Sequence, residues 1–444
     1  MREHLTALDP RVWPTDPAEQ AAAQRLMPLV FDRLVQFDDR GEPQPALAVS
    51  WQHDAQSLNW QFRLRDGVKF SDGTALTPDN AAASLQQTLG KDFQVRALPG
   101  TVQIQAARSA PDLLVELAAG PHFIFLAPLD NSLTGTGAFR VLTWPAAGAT
   151  PVVSLGANDE CWAGRPFVDK IELTMGVDPQ QQANAVSFGE ADVVELSASQ
   201  VRREQQRGVR TVSSEPATLL ALEFDTSRPA ANDQNLRAAV SLAIDRAAIA
   251  NVVLQRQAAV AAGFLPQWLS GYESLLRAAP DLARAKELLS AQAPGEVPRS
   301  TSLALVYDSS DADARAVAER VAFNLREVGL AVQVFSQASA AGRASDLRLV
   351  RIPLRAPDPA VTLAALLTGF GESVPADLET SESRFAAERA AIESFRVIPL
   401  VHETESYGLG PHVRNWMTPL WGGWRLEEVS LSAAEPAAGA ARNQ

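Results

Sequence analysis

The chain has 444 residues, of which 46% are hydrophobic and 20% charged, a composition typical of globular proteins. That length exceeds what one ordinary hydrophobic core supports, so we expect two or three compact units. The formal net charge is −13 and the basic residues are scattered, which argues against nucleic acid as a partner.

The sequence lacks the motifs of common metal, cofactor and catalytic sites. Cys161 is the single cysteine, so no intrachain disulfide is expected. The five histidines show no spacing that places two imidazoles on one helical face, and no phosphate-binding loop or nucleophile elbow occurs. We therefore expect no metal, no cofactor and no catalysis. Glu403 and Glu405 stand at alternate positions and are interpreted as a solvated strand face.

The first third of the chain predicts one helix followed by a small β-rich region. Asp16-Pro17 favours a helix start, and an Ala-rich helix should end near Pro28. Thr77 is placed to cap a second helix, after a turn built around Asp72 and Gly73. Alternating apolar and polar residues predict strands at 60–64, 102–106 and 113–117.

The rest of the chain alternates between strands and helices. Short strands are predicted at 138–144, 151–155, 169–175 and 191–196, with a helix between the last two. Apolar residues at helical spacing cover 236–247, capped by Asn232 or Asp233, and 317–328, stopped by Gly329. Further strands are predicted at 302–308 and 347–354. One convincing helix, at about 381–394, is expected between the Pro-Asp-Pro of 357–359 and the last apolar strand.

Residues 45–80 read PALAVSWQHDAQSLNWQFRLRDGVKFSDGTALTPDN. This stretch resembles a segment of the extracellular solute-binding proteins of the peptide and nickel class, which deliver cargo to ABC importers. Similar segments follow in the family's order, among them GTGAFRV at 135–141, GEADVV from Gly189 and a block at 225–249 that contains AIDR. We interpret these motifs as scaffold, with Asp245 and Arg246 as a local ion pair near a helix end.

The resemblance implies an α/β protein with the type II periplasmic-binding-protein fold. It implies two lobes joined by a hinge, the first lobe carrying an inserted, mostly-β subdomain. Lobe I would comprise residues 1–40, 135–225 and 400–444, the inserted subdomain residues 41–134, and a trimmed α/β lobe II residues 226–399. A solute would be held between the two closing lobes.

The resemblance also suggests ligand contacts. In peptide-binding relatives, the strand before the Pro-Asp-Pro segment carries a Trp and then an Asp that pairs with the peptide's α-ammonium. Ile352 and Arg355 stand there in this chain, and the reversed charge favours a ligand carboxylate or phosphate. A slip in the alignment, or pairing of Arg355 with an acid such as Glu372, is the alternative. The other candidate ligand contacts are Arg351, Trp13, Tyr407 and Trp268.

The expected function is therefore capture of a small peptide-like, oligosaccharide or anionic organic solute for an ABC-type importer. The expected partners of this monomer are the ligand and the permease, with no nucleic acid; the membrane is reached only through the permease or a lipid anchor absent from this chain. Residues 1–4 do not open a signal peptide. We expect a periplasmic or membrane-anchored extracellular protein, with the signal sequence absent from the chain given. The alternative is the ligand-sensing domain of a cytoplasmic regulator with the same fold.

Overall fold

The computed structural model describes residues 5–14, 17–38, 40–126, 134–145, 151–291, 302–309, 311, 313–339, 345–354, 356–418 and 423–432. The chain folds into two compact units. The first comprises residues 1–195, 207–212 and 407–444, and the second comprises residues 196–206 and 213–406. No helix of the described residues is both long enough and apolar enough to span a membrane.

The α-helices of the described residues are α1 Pro17–Val30, α2 Pro78–Thr88, α3 Leu113–Ala119, α4 Pro179–Ser187, α5 Ala198–Gln206, α6 Gln234–Ala243, α7 Arg246–Ala248, α8 Gln267–Ser270, α9 Leu282–Ser290, α10 Ala314–Glu327, α11 Pro359–Gly369 and α12 Ser381–Glu393. The strands are β1 Val35–Phe37, β2 Pro43–Pro45, β3 Ala48–His53, β4 Asn59–Leu64, β5 Phe93–Leu98, β6 Thr101–Ala106, β7 Phe139–Thr143, β8 Val152–Ala157, β9 Lys170–Thr174, β10 Val193–Leu196, β11 Arg210–Ser213, β12 Thr218–Phe224, β13 Ala258–Val260, β14 Ser302–Tyr307, β15 Ala331–Ser336, β16 Leu347–Pro353, β17 Val397–Glu403, β18 Ser406–Leu409, β19 Val413–Arg414 and β20 Ser430–Leu431.

The β-rich part of the first unit has its own core. Strands β3, β4, β6 and β5 pair antiparallel in that order. Alternation along β4 and β6 buries Trp60, Phe62, Val102 and Ile104, as the sequence predicts for these two strands. Helix α2 packs on this core and is capped by Thr77, whose hydroxyl accepts the N–H of the third helical residue in a capping box.

The prediction of a strand at 113–117 is wrong, because this segment is helix α3. Leu113 and Leu117 are four residues apart, which places both on one helical face, and both are buried against the β-rich core. Their spacing of four fits an alternating strand as well as a helix. A run this short does not distinguish the two periods.

The remainder of the first unit contains two further three-stranded sheets. Their strand orders are β7-β8-β9 and β10-β18-β11. Helix α4 lies between β9 and β10 along the chain, as predicted, and Asp178 caps it by accepting the N–H groups of Gln180 and Gln181. Helix α1 supplies buried apolar residues to the same core and continues through Pro28 to Val30, two residues beyond its predicted end.

The second unit is built on one six-stranded mixed sheet. Its order is β13-β17-β12-β16-β14-β15. Helices α6 and α10 contribute Leu236, Val240, Val317 and Val321 to the core cluster on one face. Helices α11 and α12 contribute to the separate cluster on the other face. The predicted helix 317–328 is confirmed as α10. The predicted helix 236–247 is confirmed only as far as Ala243, with Asp233 as its cap, because α6 ends there and Ala247 lies in the separate helix α7.

Two expectations for this unit need correction. The region between the Pro-Asp-Pro segment and β17 contains two helices, so the prediction of one helix there is wrong, while the trimming of lobe II stays a prediction. Helix α11 was missed because its residues are almost uniformly apolar and show no amphipathic period. Residues 213–225 and 400–406 belong to the second unit rather than with lobe I, because β12 and β17 are central strands of its sheet. The bounds 41–134 of the inserted subdomain stay a prediction.

A β-bulge interrupts the pairing of β12 with β17. Leu220 pairs with Val401 and Ala221 pairs with Pro399, so Leu400 is one extra residue in β17. Proline cannot donate a hydrogen bond to a neighbouring strand, and inside a sheet it is tolerated at such bulges. The bulge therefore accommodates a proline in a central strand.

The expected ion pair between Asp245 and Arg246 does not form. The Arg246 guanidinium is buried, and its Nε donates to the carbonyl of Pro399 at 2.7 Å while Nη2 donates to Ser241 Oγ at 3.1 Å. Asp245 pairs instead with Arg320, at 3.3 Å. Burial lowers the pKa of Arg246 to about 10. The AIDR segment thus ties helix α7 to the bulged strand, which is a scaffold role.

Candidate ligand site

One end of the large sheet brings several predicted residues together. Strand β12 begins at this end, and β16 and β17 both finish there, with Thr218 paired to Pro353 on one side and to Glu403 on the other. The Ala217 N–H donates to the Glu403 carbonyl at 3.1 Å, and the Leu354 N–H donates to the Ala217 carbonyl at 2.9 Å. We call Trp268, Asp311, Arg351 and Glu403, which gather here, the strand-end site.

An ion cluster occupies the strand-end site. Arg351 Nε lies 2.6 Å from Glu403 Oε2, and Nη2 lies 2.8 Å from Oε1, which makes a two-point contact. The third guanidinium nitrogen, Nη1, pairs with Asp311. The Arg351 side chain is 29% exposed, and each acid is 10% exposed. Every nitrogen of the guanidinium therefore already faces a carboxylate.

The charges of the cluster do not balance. Burial alone would lower the pKa of Arg351. The neighbouring acids Glu403 and Asp311 outweigh burial and raise this pKa above its ordinary value, so the guanidinium stays charged. Asp313 adds a third carboxylate: its backbone N–H donates to Asp311 at 2.9 Å, and its Oδ2 accepts the Ala198 N–H at 2.8 Å. Two carboxylates contact the guanidinium and Asp313 lies beside one of them, so an anion approaching Arg351 must displace a carboxylate already bound to it.

Trp268 adds an aromatic surface at the same end of the sheet. Its indole N–H donates to the carbonyl of Pro216, two residues before β12, at 3.0 Å. The residue is 40% exposed, which is high for tryptophan. This hydrogen bond ties Trp268 to the backbone of the segment that leads into β12.

Two buried titratable side chains hold the loop 261–276 that carries Trp268. His402 Nε2 lies 2.8 Å from the carbonyl of Phe264, so that nitrogen carries the hydrogen. Glu388 accepts the Leu265 N–H at 3.0 Å and the hydroxyl hydrogen of Tyr272. Burial raises the pKa of Glu388 to about 7 and lowers the pKa of His402 to about 4. The sequence analysis identified neither residue as a determinant of this loop.

Gly263 permits the close approach of this loop to Glu388. A Cβ at position 263 would lie 2.2 Å from Glu388 Oε1, well inside van der Waals contact. The contacts of His402 with Phe264 and of Glu388 with Leu265 therefore fix the loop, and the missing side chain at Gly263 makes room for Glu388.

The other predicted contacts fall in the first unit or outside the described residues. Tyr407 is 1% exposed, and its hydroxyl oxygen accepts the indole N–H of Trp424 at 3.1 Å. Trp13 is half-buried and packs on the same core cluster as Tyr407. Arg355 lies outside the described residues. The ligand roles of Arg355, Trp13, Tyr407, Arg351 and Trp268 stay predictions.

The sequence analysis missed the partners of Arg351. Glu403 was expected on a solvated face, which is wrong, because the residue is buried. Asp311 was not singled out at all. Neither acid lies near Arg351 along the chain, and only the strand order reveals their proximity. Among the described residues, no cluster of three or more His, Cys, Asp or Glu suits a metal ion.

An α/β chain in two compact units, with charged and aromatic residues gathered at a strand end of its large sheet, has features found in binding proteins. The family model for bacterial extracellular solute-binding proteins, family 5 Middle, matches residues 42–373. The chain belongs to this family, as the resemblance indicated.

Relatives with known names bind different cargoes. The chain is 25% identical over 376 residues to the nickel-binding periplasmic protein of Escherichia coli K12, covering 76% of this chain and 71% of that protein. It is 26% identical over 306 residues to the probable di/tripeptide-binding protein 5 of Pseudomonas aeruginosa, covering 59% and 58%. The chain thus spans less than two thirds of that second relative.

Solved structures confirm the fold class. NikA from Brucella suis in complex with Fe(III)-EDTA matches with a TM-score of 0.80 and 21% identity, over 97% of this chain and 99% of that one. The dipeptide-binding protein from Pseudoalteromonas sp. SM9913 in complex with Met-Leu matches with a TM-score of 0.81 and 17% identity, over 97% and 99%. The predicted α/β, type II periplasmic-binding-protein fold is correct.

Proposed function

We propose that this chain captures a small solute outside the cytoplasmic membrane and delivers it to an ABC-type permease, without chemical change to the solute. Family membership over residues 42–373 carries the proposal. Relatives named for peptides, nickel and heme are binding proteins. Because these cargoes differ, family membership does not specify the cargo, and the residues of this chain must specify it.

The cargo in this proposal is a peptide-like, oligosaccharide or anionic organic solute, and closure of the protein accompanies its capture. An aromatic surface at Trp268 suits a sugar ring or an apolar side chain. Arg351 is already engaged by two acids, so we assign recognition of a ligand carboxylate or phosphate to Arg355 rather than to Arg351. Catalysis has no place in the proposal.

A ligand screen by thermal unfolding tests the proposal. A ligand that binds only the folded state stabilises it by about 2.7 kcal/mol at a hundred times its Kd. Separate panels of dipeptides, oligosaccharides and dicarboxylates should identify one class that raises the Tm and lowers the radius of gyration in solution scattering. No shift with any panel, and no compaction, would contradict solute capture.

Variants then locate the contacts. Trp268→Ala and Arg355→Ala should weaken binding of the identified solute at least tenfold, or about 1.4 kcal/mol. Arg315→Ala, on the exposed face of α10, is the matched control and should leave the affinity unchanged. If all three variants bind the solute with equal affinity, the proposal of solute capture stands, but Trp268 and Arg355 are not ligand contacts.

A further inference from the structure

The loop that carries Trp268 is closed at its base. The Leu275 N–H donates to the carbonyl of Ala262 at 2.7 Å, which joins the two ends of the segment. Helix α8, which contains Trp268, lies between these ends. A compact surface segment with joined ends is an Ω-loop, typically of roughly 6 to 16 residues, and such a loop can open as one unit. We call residues 261–276 the Trp268 loop.

The inner side of the Trp268 loop packs on an apolar cluster. Phe264 and Leu265 are buried in the cluster to which α11 and α12 contribute. The ring centroid of Phe264 lies 5.0 Å from that of Phe370, and the ring of Tyr272 meets that of Phe385 edge-on, with 5.3 Å between centroids. These contacts are apolar, so they give the closed loop no dependence on pH.

Two buried titratable groups hold the same stretch of the loop from different elements. Glu388, on α12, accepts the Leu265 N–H at 3.0 Å and the hydroxyl hydrogen of Tyr272. His402, on β17, lies with Nε2 2.8 Å from the carbonyl of Phe264. Successive loop residues, Phe264 and Leu265, are thus bonded to a base and to an acid. Opening of the loop would expose both groups to water.

Burial, rather than a charged neighbour, is the largest cause of the shifted pKa of Glu388 and of His402. Arg384, one turn before Glu388 on α12, donates instead to two backbone carbonyls that precede the helix. Glu273, in the loop, is exposed. The other charged side chains of the surrounding strands and segments are Glu223 and Arg348 on this face of the sheet, Arg351 and Glu403 on its opposite face, and Glu372 after α11.

The two groups respond to pH in opposite directions. The pKa of Glu388 is about 7 in the closed loop and ordinarily 4.5, so raising the pH from 4.5 to 7 favours an open loop in which Glu388 loses its proton. The pKa of His402 is about 4 in the closed loop and ordinarily 6.5, so lowering the pH from 6.5 to 4 favours an open loop in which His402 gains a proton. The two effects oppose each other from pH 4.5 to 6.5.

We propose that Glu388 and His402 are positioning residues for Trp268, which hold the Trp268 loop as an opposed acid and base, so that its closure stays constant while the pH changes. Over the shared range, opening releases one proton from Glu388 and takes up one proton at His402, and the net proton exchange is close to zero. With either group alone, closure would depend on pH. The inference rests on the proposed function only in that it gives Trp268 a solute to contact.

Native-state hydrogen exchange on the full chain tests the proposal without a ligand. The Leu265 amide should exchange faster than the amide of Leu222, in the central strand β12, because the loop opens while the sheet stays folded. After correction for intrinsic exchange, loop opening should change by less than about twofold between pH 4.5 and 6.5. Equal exchange at the two amides would mean that the loop opens only with the whole unit, and would overturn the proposal.

Glu388→Gln and His402→Gln separate the two groups. In Glu388→Gln only His402 responds, so opening should increase about fortyfold as the pH falls from 6.5 to 4.5. In His402→Gln opening should increase about fortyfold as the pH rises over the same range. The double variant should again show no dependence on pH, because both titrations are absent. Glu382→Gln, at the exposed start of α12, is the matched control and should behave as the unaltered chain.

Two outcomes with these variants would overturn the proposal: single variants whose opening does not depend on pH, and a double variant that retains a dependence. If one single variant does not fold, the other makes the test alone, since each has its own expected slope.

The indole hydrogen of Trp268 reports on the position of that residue itself. It is bonded to the carbonyl of Pro216, and its NMR signal is identified by its loss in Trp268→Phe. Its exchange should follow the Leu265 amide, with opposite slopes in the two single variants. Indole exchange that ignores pH in both would refute the positioning of Trp268 by these residues. Because neither measurement uses a ligand, a failed ligand screen and a failed loop test are separate results.

Discussion

The guanidinium of Arg351 meets the carboxylate of Glu403 at two points, 2.6 and 2.8 Å, although the two residues lie on strands separated by β12. The long arginine side chain spans the intervening strand beside Leu220 and Thr218. Asp311 binds the remaining nitrogen. This cluster links β16, β17 and the segment before α10, so its contribution to stability can be measured separately from any ligand role.

Replacing Arg351 should be costly for the fold. In Arg351→Met the aliphatic stem is retained, but Glu403 and Asp311 lose their counter-charge in a largely buried position. Breaking a buried ion pair by removing one partner costs roughly 3 kcal/mol. Urea unfolding at neutral pH measures this loss. Arg315→Met, which breaks the exposed pair with Glu319, should cost about 0.5 kcal/mol or less, and equal losses would show that the cluster contributes no more than a surface pair.

Glu388 should make stability fall as pH rises. Its pKa is about 7 in the fold and 4.5 unfolded, so the folded state holds more protons between these values. Stability is then lost as pH rises from 4.5 to 7, by on the order of 3 kcal/mol. Glu388→Gln should remove this loss in urea unfolding across that range. Glu382→Gln, on the exposed start of the same helix, should leave the pH profile unchanged; a matching change there would contradict the assignment.

His402 should make stability fall as pH falls, which is opposite to the effect of Glu388. Its pKa is about 4 in the fold and 6.5 unfolded, so the unfolded state binds the extra proton between these values. Stability from this group is lost as pH falls from 6.5 to 4, again by on the order of 3 kcal/mol. The two slopes largely cancel between pH 4.5 and 6.5 in the unaltered protein. His402→Gln, which keeps a donor for Phe264, should expose the Glu388 slope, whereas an unchanged profile would refute the role of His402.

A methyl group at position 263 should strain the loop that carries Trp268. Gly263→Ala places Cβ against the Glu388 carboxylate, and overpacking of this kind costs about 1 to 3 kcal/mol. Gly369→Ala, with open space around its Cβ direction, is the control and should change stability by less than about 0.5 kcal/mol. Thermal unfolding of both variants decides the point, and equal Tm values would mean that the loop adapts freely.

The sequence predicts elements well where one local pattern dominates. Trp60 and Phe62 alternate with polar residues in β4, and Asp233 stands just ahead of the apolar stripe of α6, so both elements were identified. Leu113 and Leu117 fit two periods equally, and only their packing on the β-rich core determines that the segment is helical. Ambiguity of this kind is resolved by tertiary contacts rather than by the local sequence.

The strand-end site was predicted less completely. Arg351 and Trp268 were identified from family resemblance and residue type, but their surroundings were not. The contact between Arg351 and Glu403 depends on the order β17-β12-β16, which no local pattern specifies. The hydrogen bond from the Leu265 N–H to Glu388 joins residues more than a hundred positions apart in the sequence. Contacts between residues so far apart in the sequence cannot be predicted from the periodicity of apolar residues.

The extra residue at Leu400 decides which ionisable group faces which layer of the second unit. Residues paired across antiparallel strands point to the same side, and Thr218, opposite Glu403, shares the side of Arg351. If β17 paired with β12 without the bulge, Leu400 would stand opposite Leu220 and His402 opposite Thr218, and each later side chain of β17 would turn over. The imidazole would then meet the guanidinium, and the carboxylate would lie among the phenylalanines near α11. The bulged pairing thus sets which side of the sheet holds the carboxylate and which holds the imidazole.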